Sequence, residues 1–200
     1  MHQGRTAPAA ARNRGPILEI LRQELPETGL VLEIASGTGE HAVWFSQALP
    51  ALTWQPTDGN AEALASIAAW RETAAVPNLL APLLLDAASP RSWRVERADA
   101  VVAINMIHIA PWLAAEGLFA GAAHVLPPGG LLYLYGPFRE DGLHTAASNA
   151  AFDADLQARD PSWGVRDIGD VAQLAARHGI NLSGRRQMPA NNLSLLFRRA

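Results

Sequence analysis

The sequence predicts an α/β protein with a seven-stranded, mostly parallel sheet, helices on both faces and an antiparallel last strand. Short apolar runs alternate with helical patterns over most of the 200 residues, as in proteins that wrap helices around a parallel sheet. Near the end, two apolar runs are joined by P-A-N-N at 189–192, which predicts a terminal hairpin. The 49% apolar content can fill a sizeable core, so we expect residues 1–200 to form a single domain.

The individual elements follow from apolar runs and from the residues that start and stop them. The predicted strands are 30–35, 53–56, 79–85, 100–105, 131–135, 180–188 and 193–198. The predicted helices are 41–49, 60–70, 112–126, 148–159 and 167–178, with a further helix whose first position is Pro16. Residues 1–15 are interpreted as an N-terminal arm, and the polar stretch 136–166 as an inserted lid or substrate loop.

Composition excludes several kinds of chemistry. The chain has no cysteine, and all 16 basic residues are arginine, so thiolate nucleophiles, disulfides and the lysine of phosphate loops or pyridoxal enzymes are absent. His144, Asp153 and Asp155 lack a metal-ligand spacing, and we expect no metal. The net charge of -3 provides no basic field, so we expect no nucleic acid partner.

We expect a cytoplasmic protein without a membrane span; its oligomeric state stays open.

A glycine turn follows the first predicted strand. Residues 31–42 read V-L-E-I-A-S-G-T-G-E-H-A, in which Gly37, Gly39 and Ala42 match G-x-G-x-x-G/A. This spacing lets a chain leave a strand, turn tightly and enter a helix against a bound nucleotide. Nicotinamide dinucleotides and S-adenosylmethionine are both held on turns of this kind, so the turn alone leaves the cofactor undecided.

Acidic residues at the strand ends favour S-adenosylmethionine. Glu33 lies within the first strand, where a carboxylate can offset the cationic charge of the methionine end. Asp58 ends the second strand, where it can accept from both ribose hydroxyls, and Asp86 ends the third, within reach of an adenine amino group. An acid at a strand end can also simply cap a turn or a helix. The predicted cofactor-binding residues are Glu33, Ala35, Ser36, Gly37, Gly39, Asp58, Asp86, Ala87 and Asn105.

The candidate catalytic and substrate-binding residues lie at or just after the ends of the fourth, fifth and sixth predicted strands. His108 is the candidate catalytic acid or base, although a base is needed only if the methyl acceptor is protonated. The alternative is a core histidine between Ile107 and Ile109. The predicted substrate-pocket residues are Tyr135, Arg139, Asn191 and Asn192. Alternatively, the two asparagines allow the backbone geometry of a turn. Tyr135 would then be part of the strand core, and Arg139 would be a surface residue.

The chain resembles the methyltransferase-like 26 family, also known as domain of unknown function 938. The matching segments are A-R-N-R-G-P-I at 11–17, V-L-E-I-A-S-G-T-G-E-H-A at 31–42, N-L-L-A-P-L-L-L-D at 78–86, N-M-I-H-I-A-P-W at 105–112, Y-G-P-F at 135–138, S-N-A-A-F-D at 148–153, D-P-S-W-G-V-R-D at 160–167 and M-P-A-N-N-L-S-L-L-F at 188–197. The resemblance implies a class I, Rossmann-like methyltransferase fold with its cofactor at Gly37, Gly39, Asp58 and Asp86. It also favours an N-terminal arm, including 12–16, that closes over the cofactor.

These observations predict an S-adenosylmethionine-dependent methyltransferase that acts on a small-molecule acceptor. The resemblance implies no particular substrate. One alternative is a methyltransferase-like protein that binds the cofactor or a partner without turnover. Another is an NAD-dependent oxidoreductase, which the glycine turn allows but Glu33 and the terminal hairpin disfavour.

Overall fold

The structure is a computed structural model that describes residues 4–200, so residues 1–3 of the predicted arm lie outside the described residues. The helices are α1 (Pro8–Glu24), α2 (Glu40–Ala48), α3 (Ala61–Ala74), α4 (Trp112–Val125), α5 (Ala147–Arg159) and α6 (Ile168–Arg177). The strands are β1 (Gly29–Ile34), β2 (Leu52–Asp58), β3 (Leu83–Leu84), β4 (Ala100–Ile104), β5 (Leu131–Gly136), β6 (Phe138–Glu140), β7 (Leu143–His144), β8 (Arg166–Asp167), β9 (Ile180–Gln187) and β10 (Leu193–Arg199).

The main sheet has seven strands in the order β3-β2-β1-β4-β5-β10-β9. β1 pairs in parallel with both β2 and β4, whereas β10 runs antiparallel to both β5 and β9. The strand order therefore reverses direction between β1 and β4, and the carboxyl ends of both strands face the same edge. In open α/β sheets, ligands bind in the crevice at such a switch point.

Helices pack on both faces of this sheet, because neighbouring side chains of a strand point to opposite faces. Leu32 and Ile34 of β1 join a buried cluster with side chains of α4 and α6. Val31 of the same strand joins a second cluster with side chains of α1 and α2, including Phe45 and Ile17. The predicted mostly parallel sheet with an antiparallel last strand and helices on both faces is confirmed.

Helix α1 begins eight residues earlier than the sequence analysis predicted. Pro8 occupies its first position and Pro16 lies inside it, so residues 8–15 are helix instead of an arm. Pro8 costs nothing at the start, because the first helical N–H groups have no partner within the helix. The alanines at 9–11 favour helix, and Ile17 and Leu21 bury the apolar side of α1 fully.

Two other predicted segments differ in the structure. The predicted strand 79–85 enters the sheet only at Leu83 and Leu84, with an isolated bridge from Leu79 to Trp54, since Pro82 between them has no N–H to donate. The predicted lid 136–166 carries α5 and forms a three-stranded sheet, β7-β6-β8, that ends with β8. This segment is therefore largely regular structure and not a loop.

Two features are absent from the described residues. None of the helices within 4–200 is long and apolar enough to cross a membrane. Nor does this part of the chain bring three or more histidine or acidic residues together where they could hold a metal ion.

Candidate active site

Two cavities adjoin at the carboxyl ends of the central strands. The turn cavity has a volume of about 640 Å³ and lies against the glycine turn after β1. The hairpin cavity, of about 830 Å³, lies between α1, α5 and the turn that joins β9 to β10. Asn105 and Ile109, which follow β4, line both cavities. Molecules held in the two cavities would therefore meet at the end of β4.

The turn cavity is built from residues at the ends of β1 to β4. Its lining includes six predicted cofactor-binding residues: Ala35, Gly37, Asp58, Asp86, Ala87 and Asn105. Ala35 and Asn105 both have left-handed backbone conformations, with φ angles of 56° and 52°. A non-glycine residue in this region is under steric strain, and such residues concentrate at functional sites. The strand ladders on either side hold the strained residues in place.

Asp58 connects the glycine turn with the start of α3. Its Oδ2 accepts from the Gly37 N–H at 2.9 Å, and its Oδ1 accepts from the Asn60 N–H at 2.9 Å. Asn60 in turn caps α3, because its Oδ1 accepts from the Glu62 N–H at 2.7 Å. Each carboxylate oxygen can accept a second hydrogen bond, so Asp58 keeps acceptor capacity toward the turn cavity.

The two motif glycines have different surroundings. Gly37 lines the turn cavity with φ +58°, and a Cβ built on it would have no atom within 4 Å. Gly39 is buried with φ +89°, and a Cβ there would lie 2.9 Å from the Cα of Ile67 on α3. Gly37 therefore leaves room at the cavity, whereas Gly39 allows the turn to pack against α3 and does not line the cavity.

Ser36 and Glu33 also lie behind the cavity wall, although we predicted them as cofactor-binding residues. The Ser36 N–H donates to the carbonyl of Thr57 at 2.8 Å, which ties the turn to β2. Glu33 is 2% exposed, and its Oε2 accepts from the indole Nε1 of Trp54 at 2.9 Å. Burial raises the pKa of Glu33 to about 7, against the smaller lowering effect of hydrogen bonds from Trp54 and Ser36.

Asp86 lines the turn cavity and also caps the turn that follows it. Its Oδ1 accepts from the Ala88 N–H at 2.9 Å, and its Oδ2 accepts from the Ser89 hydroxyl at 3.0 Å. Asp86 therefore caps the turn, as the alternative interpretation of the sequence allowed, and it also faces the cavity. The apolar part of this wall includes Leu85, Met106, Leu113 and Ala114.

The hairpin cavity collects residues from five separate segments. Its lining includes the predicted His108, Tyr135, Asn191 and Asn192, together with Arg12, Asn13, Ser148, Asn149 and Phe152, which the sequence analysis did not place there. Arg12 and Asn13 were expected to lie over the cofactor, but the structure puts them on α1 at the hairpin cavity and not in the wall of the turn cavity. Their helical spacing from Ala9, which also lines the cavity, could have indicated a shared face.

His108 is held at the boundary between the β4 loop and the inserted segment. It is 3% exposed, and its ring packs edge-on against Phe152 with 5.7 Å between centroids. A Cβ at Gly136 would lie 2.8 Å from its Cε1, so the end of β5 leaves space for the imidazole. Burial, with the positive charge of Arg166, lowers the pKa of His108 to about 4. The imidazole is therefore neutral at pH 7.

A polar chain connects Tyr135 with the interior of α2. His41 Nε2 lies 2.7 Å from Asn13 Oδ1, and the His41 ring stacks on Phe45. Burial, with the nearby Arg14, lowers the pKa of His41 to about 4, so His41 is neutral and Nε2 carries the donated proton. Burial also raises the pKa of the Tyr135 phenol, although hydrogen bonds from Asn13 and Asn192 oppose this shift. Asn13 thus connects α1, α2 and β5.

Hydrogen bonds tie the inserted segment to the rest of the site. Asn149 Nδ2 donates to the Asn191 carbonyl at 2.9 Å, which joins α5 to the β9–β10 turn. Arg166 donates through Nε to the Ile107 carbonyl at 3.0 Å and through Nη2 to the Ala110 carbonyl at 2.7 Å. The Gly164 N–H donates to the His108 carbonyl at 3.0 Å. The segment is thus docked on the loop that follows β4.

Arg139 does not belong to the hairpin cavity. It lines a separate cavity of about 380 Å³ with Trp112, Arg166 and Asp170, among others. The cause is strand geometry, because Arg139 belongs to β6, which turns away from β5 at Pro137 and pairs with β7 and β8. Among the four predicted substrate-pocket residues, the structure brings Tyr135, Asn191 and Asn192 together and leaves Arg139 apart.

Solved structures define the class of fold. One similar structure is an O-methyltransferase family protein from Burkholderia thailandensis, with a TM-score of 0.81 and 19% identity over 96% of this chain and 57% of that one. Another is an O-methyltransferase family 2 protein from Planctomyces limnophilus in complex with apigenin, with a TM-score of 0.81 and 18% identity over 96% and 58%. A third is CalO1, a methyltransferase in calicheamicin biosynthesis in its S-adenosylhomocysteine-bound form, with a TM-score of 0.74 and 17% identity over 96% and 54%. The fold is therefore the Rossmann-like class I methyltransferase fold.

The family follows from the sequence itself. The chain belongs to the family described as "Protein of unknown function (DUF938)", whose profile matches residues 4–199. The chain spans a little over half the length of the three solved methyltransferases. At these sequence identities, the similarity of the chain to the three solved structures shows the fold alone.

Proposed function

We propose that this protein is an S-adenosylmethionine-dependent methyltransferase that acts on a small-molecule acceptor. The observation that carries the proposal is the junction of two cavities at Asn105 and Ile109, one against a glycine turn and one beside it. A methyl donor and an acceptor must approach each other in line, and adjoining cavities at one strand end allow this approach. The resemblance to the methyltransferase-like 26 family belongs to the same proposal.

The residues of the turn cavity fit the methyl donor. Gly37 leaves open the space that a Cβ would fill, so a ligand can approach the backbone there. Asp58 has acceptor capacity for ribose hydroxyls, and Asp86 for an adenine amino group, next to the apolar wall of Leu85 and Met106. S-adenosylmethionine would supply an electrophilic methyl group, whose bond to sulfur breaks as the acceptor atom bonds to the carbon and whose bonding pair stays on sulfur.

The residues of the hairpin cavity would bind the acceptor and accept the proton that it loses. Phe152 and Ile109 offer apolar contact to a small molecule, while Asn191 and Asn192 offer amide groups. His108 is neutral at pH 7, so one ring nitrogen has a lone pair that can accept a proton from a hydroxyl acceptor. Its lowered pKa makes it a weak base, and alignment in a largely buried site would supply most of the acceleration.

The test is calorimetric titration of the pure protein with S-adenosylhomocysteine, with NAD as a parallel ligand. We expect micromolar binding of S-adenosylhomocysteine and none of NAD. Asp58→Ala should weaken binding at least about 100-fold, because it removes both the proposed ribose acceptor and the bond that holds the Gly37 N–H. Asp155→Ala, a change at an exposed carboxylate on α5, is the matched control and should bind like the wild type.

The two possible failures have different meanings. If S-adenosylhomocysteine does not bind the wild-type protein, the proposal is wrong. If it binds but no methyl label leaves S-adenosylmethionine in extracts of small metabolites, the protein is a binder of the cofactor without turnover.

A further inference from the structure

The charges around the hairpin cavity differ from those expected for a cationic acceptor. Among the described residues that line it, Arg12 is the only side chain that is charged at pH 7, and there is no aspartate or glutamate. No described carboxylate forms an ion pair with Arg12. The guanidinium is therefore available to pair with an anion from solution.

The remaining polar groups of this cavity are neutral. They are five asparagine amides (Asn13, Asn105, Asn149, Asn191 and Asn192), the phenol of Tyr135, the hydroxyl of Ser148 and the imidazole of His108. Several are already committed: Asn149 Nδ2 donates to Asn191, and Asn191 Nδ2 donates to Ser148 at 3.1 Å. Because Asn149 and Asn191 use N–H groups inside the protein, their side-chain carbonyl oxygens remain as uncharged acceptors for a hydroxyl proton, whereas that of Asn13 already accepts from His41.

A protonated amine would find no counter-ion in this cavity. Moving an ammonium group from water into a partly apolar site is unfavourable unless a carboxylate compensates for the lost hydration. A carboxylate-bearing molecule would instead find Arg12, whose planar guanidinium can hold both oxygens. Its aromatic or aliphatic body would pack on the apolar surfaces of Phe152, Ile109 and Pro189.

We infer that the methyl acceptor is a small hydroxylated molecule with an acid group, whose carboxylate pairs with Arg12 and whose body lies in the hairpin cavity. That the bound molecule is a methyl acceptor rests on the proposed function. The preference of the cavity for an anion does not, and it can be tested separately.

The experiment compares three probes with the same phenol ring: 4-hydroxybenzoate, the neutral 4-hydroxybenzamide and the cationic 4-hydroxybenzylamine. Their dissociation constants are measured by ligand-observed NMR at pH 7, with and without S-adenosylhomocysteine. We expect 4-hydroxybenzoate to bind at least about tenfold more tightly than 4-hydroxybenzylamine, with the amide between them. Arg12→Gln should reduce this ratio to about threefold or less.

Arg22→Gln is the matched control, because Arg22 is an exposed arginine on the same helix and lines neither the turn cavity nor the hairpin cavity. It should keep the wild-type ratio. Equal or tighter binding of the amine, an unchanged ratio in Arg12→Gln, or no binding of 4-hydroxybenzoate at millimolar concentration would overturn the inference. The arm without S-adenosylhomocysteine separates this outcome from a failure of the proposed function, since the probes do not require the cofactor.

Discussion

The turn cavity and the hairpin cavity adjoin, but the chain builds them in different ways. The polar side chains of the turn cavity lie at the end of a parallel strand or within two residues of it, so pairing in the sheet fixes their positions. The hairpin cavity is assembled from α1, the β4 loop, β5, α5 and the β9–β10 turn. Side-chain hydrogen bonds join α5 to the β9–β10 turn and connect Tyr135 of β5 with Asn13 and Asn192. The first cavity therefore depends on backbone geometry and the second on side chains from distant segments.

This difference suggests a division of roles. A cofactor of constant shape suits a rigid site at strand ends, while the acceptor side can vary through segments that leave the sheet unchanged. In the turn cavity, the most informative substitutions are those that distinguish residues supporting the backbone from residues contacting the ligand. In the hairpin cavity, they are those that show whether a side chain is buried or solvated.

The largest effect on stability is expected at Gly39. A methyl group there would meet the backbone of Ile67 at 2.9 Å and would also impose a left-handed conformation on an alanine. Gly39→Ala should lower the free energy of unfolding by about 3 kcal/mol, whereas Gly37→Ala, which meets no atom, should lower it by about 1 kcal/mol. Gly37→Ala should instead weaken binding of S-adenosylhomocysteine at least about tenfold. Urea unfolding and calorimetry measure the two quantities.

Gly142 supplies the control for this pair. It has φ +78° in an exposed loop, with no atom near a built Cβ, and it lines neither cavity. Gly142→Ala should cost as much stability as Gly37→Ala and leave S-adenosylhomocysteine binding unchanged. Equal losses of stability at Gly37 and Gly39 would contradict the assignment of separate roles to the two glycines.

Glu33 should give the next largest effect, as a pH dependence of stability. Its pKa is raised from 4.5 to about 7 in the folded protein, so between these values the folded state binds more protons than the unfolded state. The free energy of unfolding therefore falls as the pH rises through this range, by up to about 3 kcal/mol. Urea unfolding at pH 5 and pH 8 should show this loss in the wild type relative to Glu33→Gln.

The comparison with Glu33→Gln isolates one group, because His41 and His108 contribute the same pH dependence of stability to both proteins. Glutamine keeps an oxygen for the Trp54 indole and does not titrate, so its own packing contributes no pH dependence to the comparison. Glu19→Gln, at an exposed position on α1, should behave like the wild type at both pH values. A wild-type profile parallel to that of Glu33→Gln would mean that the carboxylate is solvated and that Glu33 is not buried behind the wall of the turn cavity.

The sequence predicted the turn cavity better than the hairpin cavity, for a physical reason. Once the strands were recognised, parallel order placed Asp58, Asp86 and Asn105 at one edge, and all three line the cavity. Side-chain direction was harder to predict: Glu33, Ser36 and Gly39 belong to the same motif but face inward or support packing. A strand pattern gives the order of residues but does not show which of them a neighbouring helix covers.

The hairpin cavity depends on how α1, α5 and the β9–β10 turn pack against one another, and local sequence patterns do not determine this packing. The early start of α1 could have been recognised from Pro8 followed by alanines, and this start brings Arg12 to the cavity. The second small sheet, which removes Arg139 from the site, arises from pairs that are far apart in sequence, such as Phe138 with Arg166. Long-range pairing of two- and three-residue strands leaves little signal in a single sequence.

The smallest effect on binding, and the most direct check of the hairpin cavity, is expected at His108. Burial lowers its pKa to about 4, so its imidazole should remain neutral and its Cε1–H resonance should not titrate between pH 5.5 and 8. The resonance is assigned by its absence in His108→Gln, which separates it from that of His41, whose pKa is also lowered to about 4. The same variant should bind S-adenosylhomocysteine within about twofold of the wild type, because His108 does not line the turn cavity. A midpoint near 6.5 would show that the ring is solvated and that Phe152 does not shield it from water.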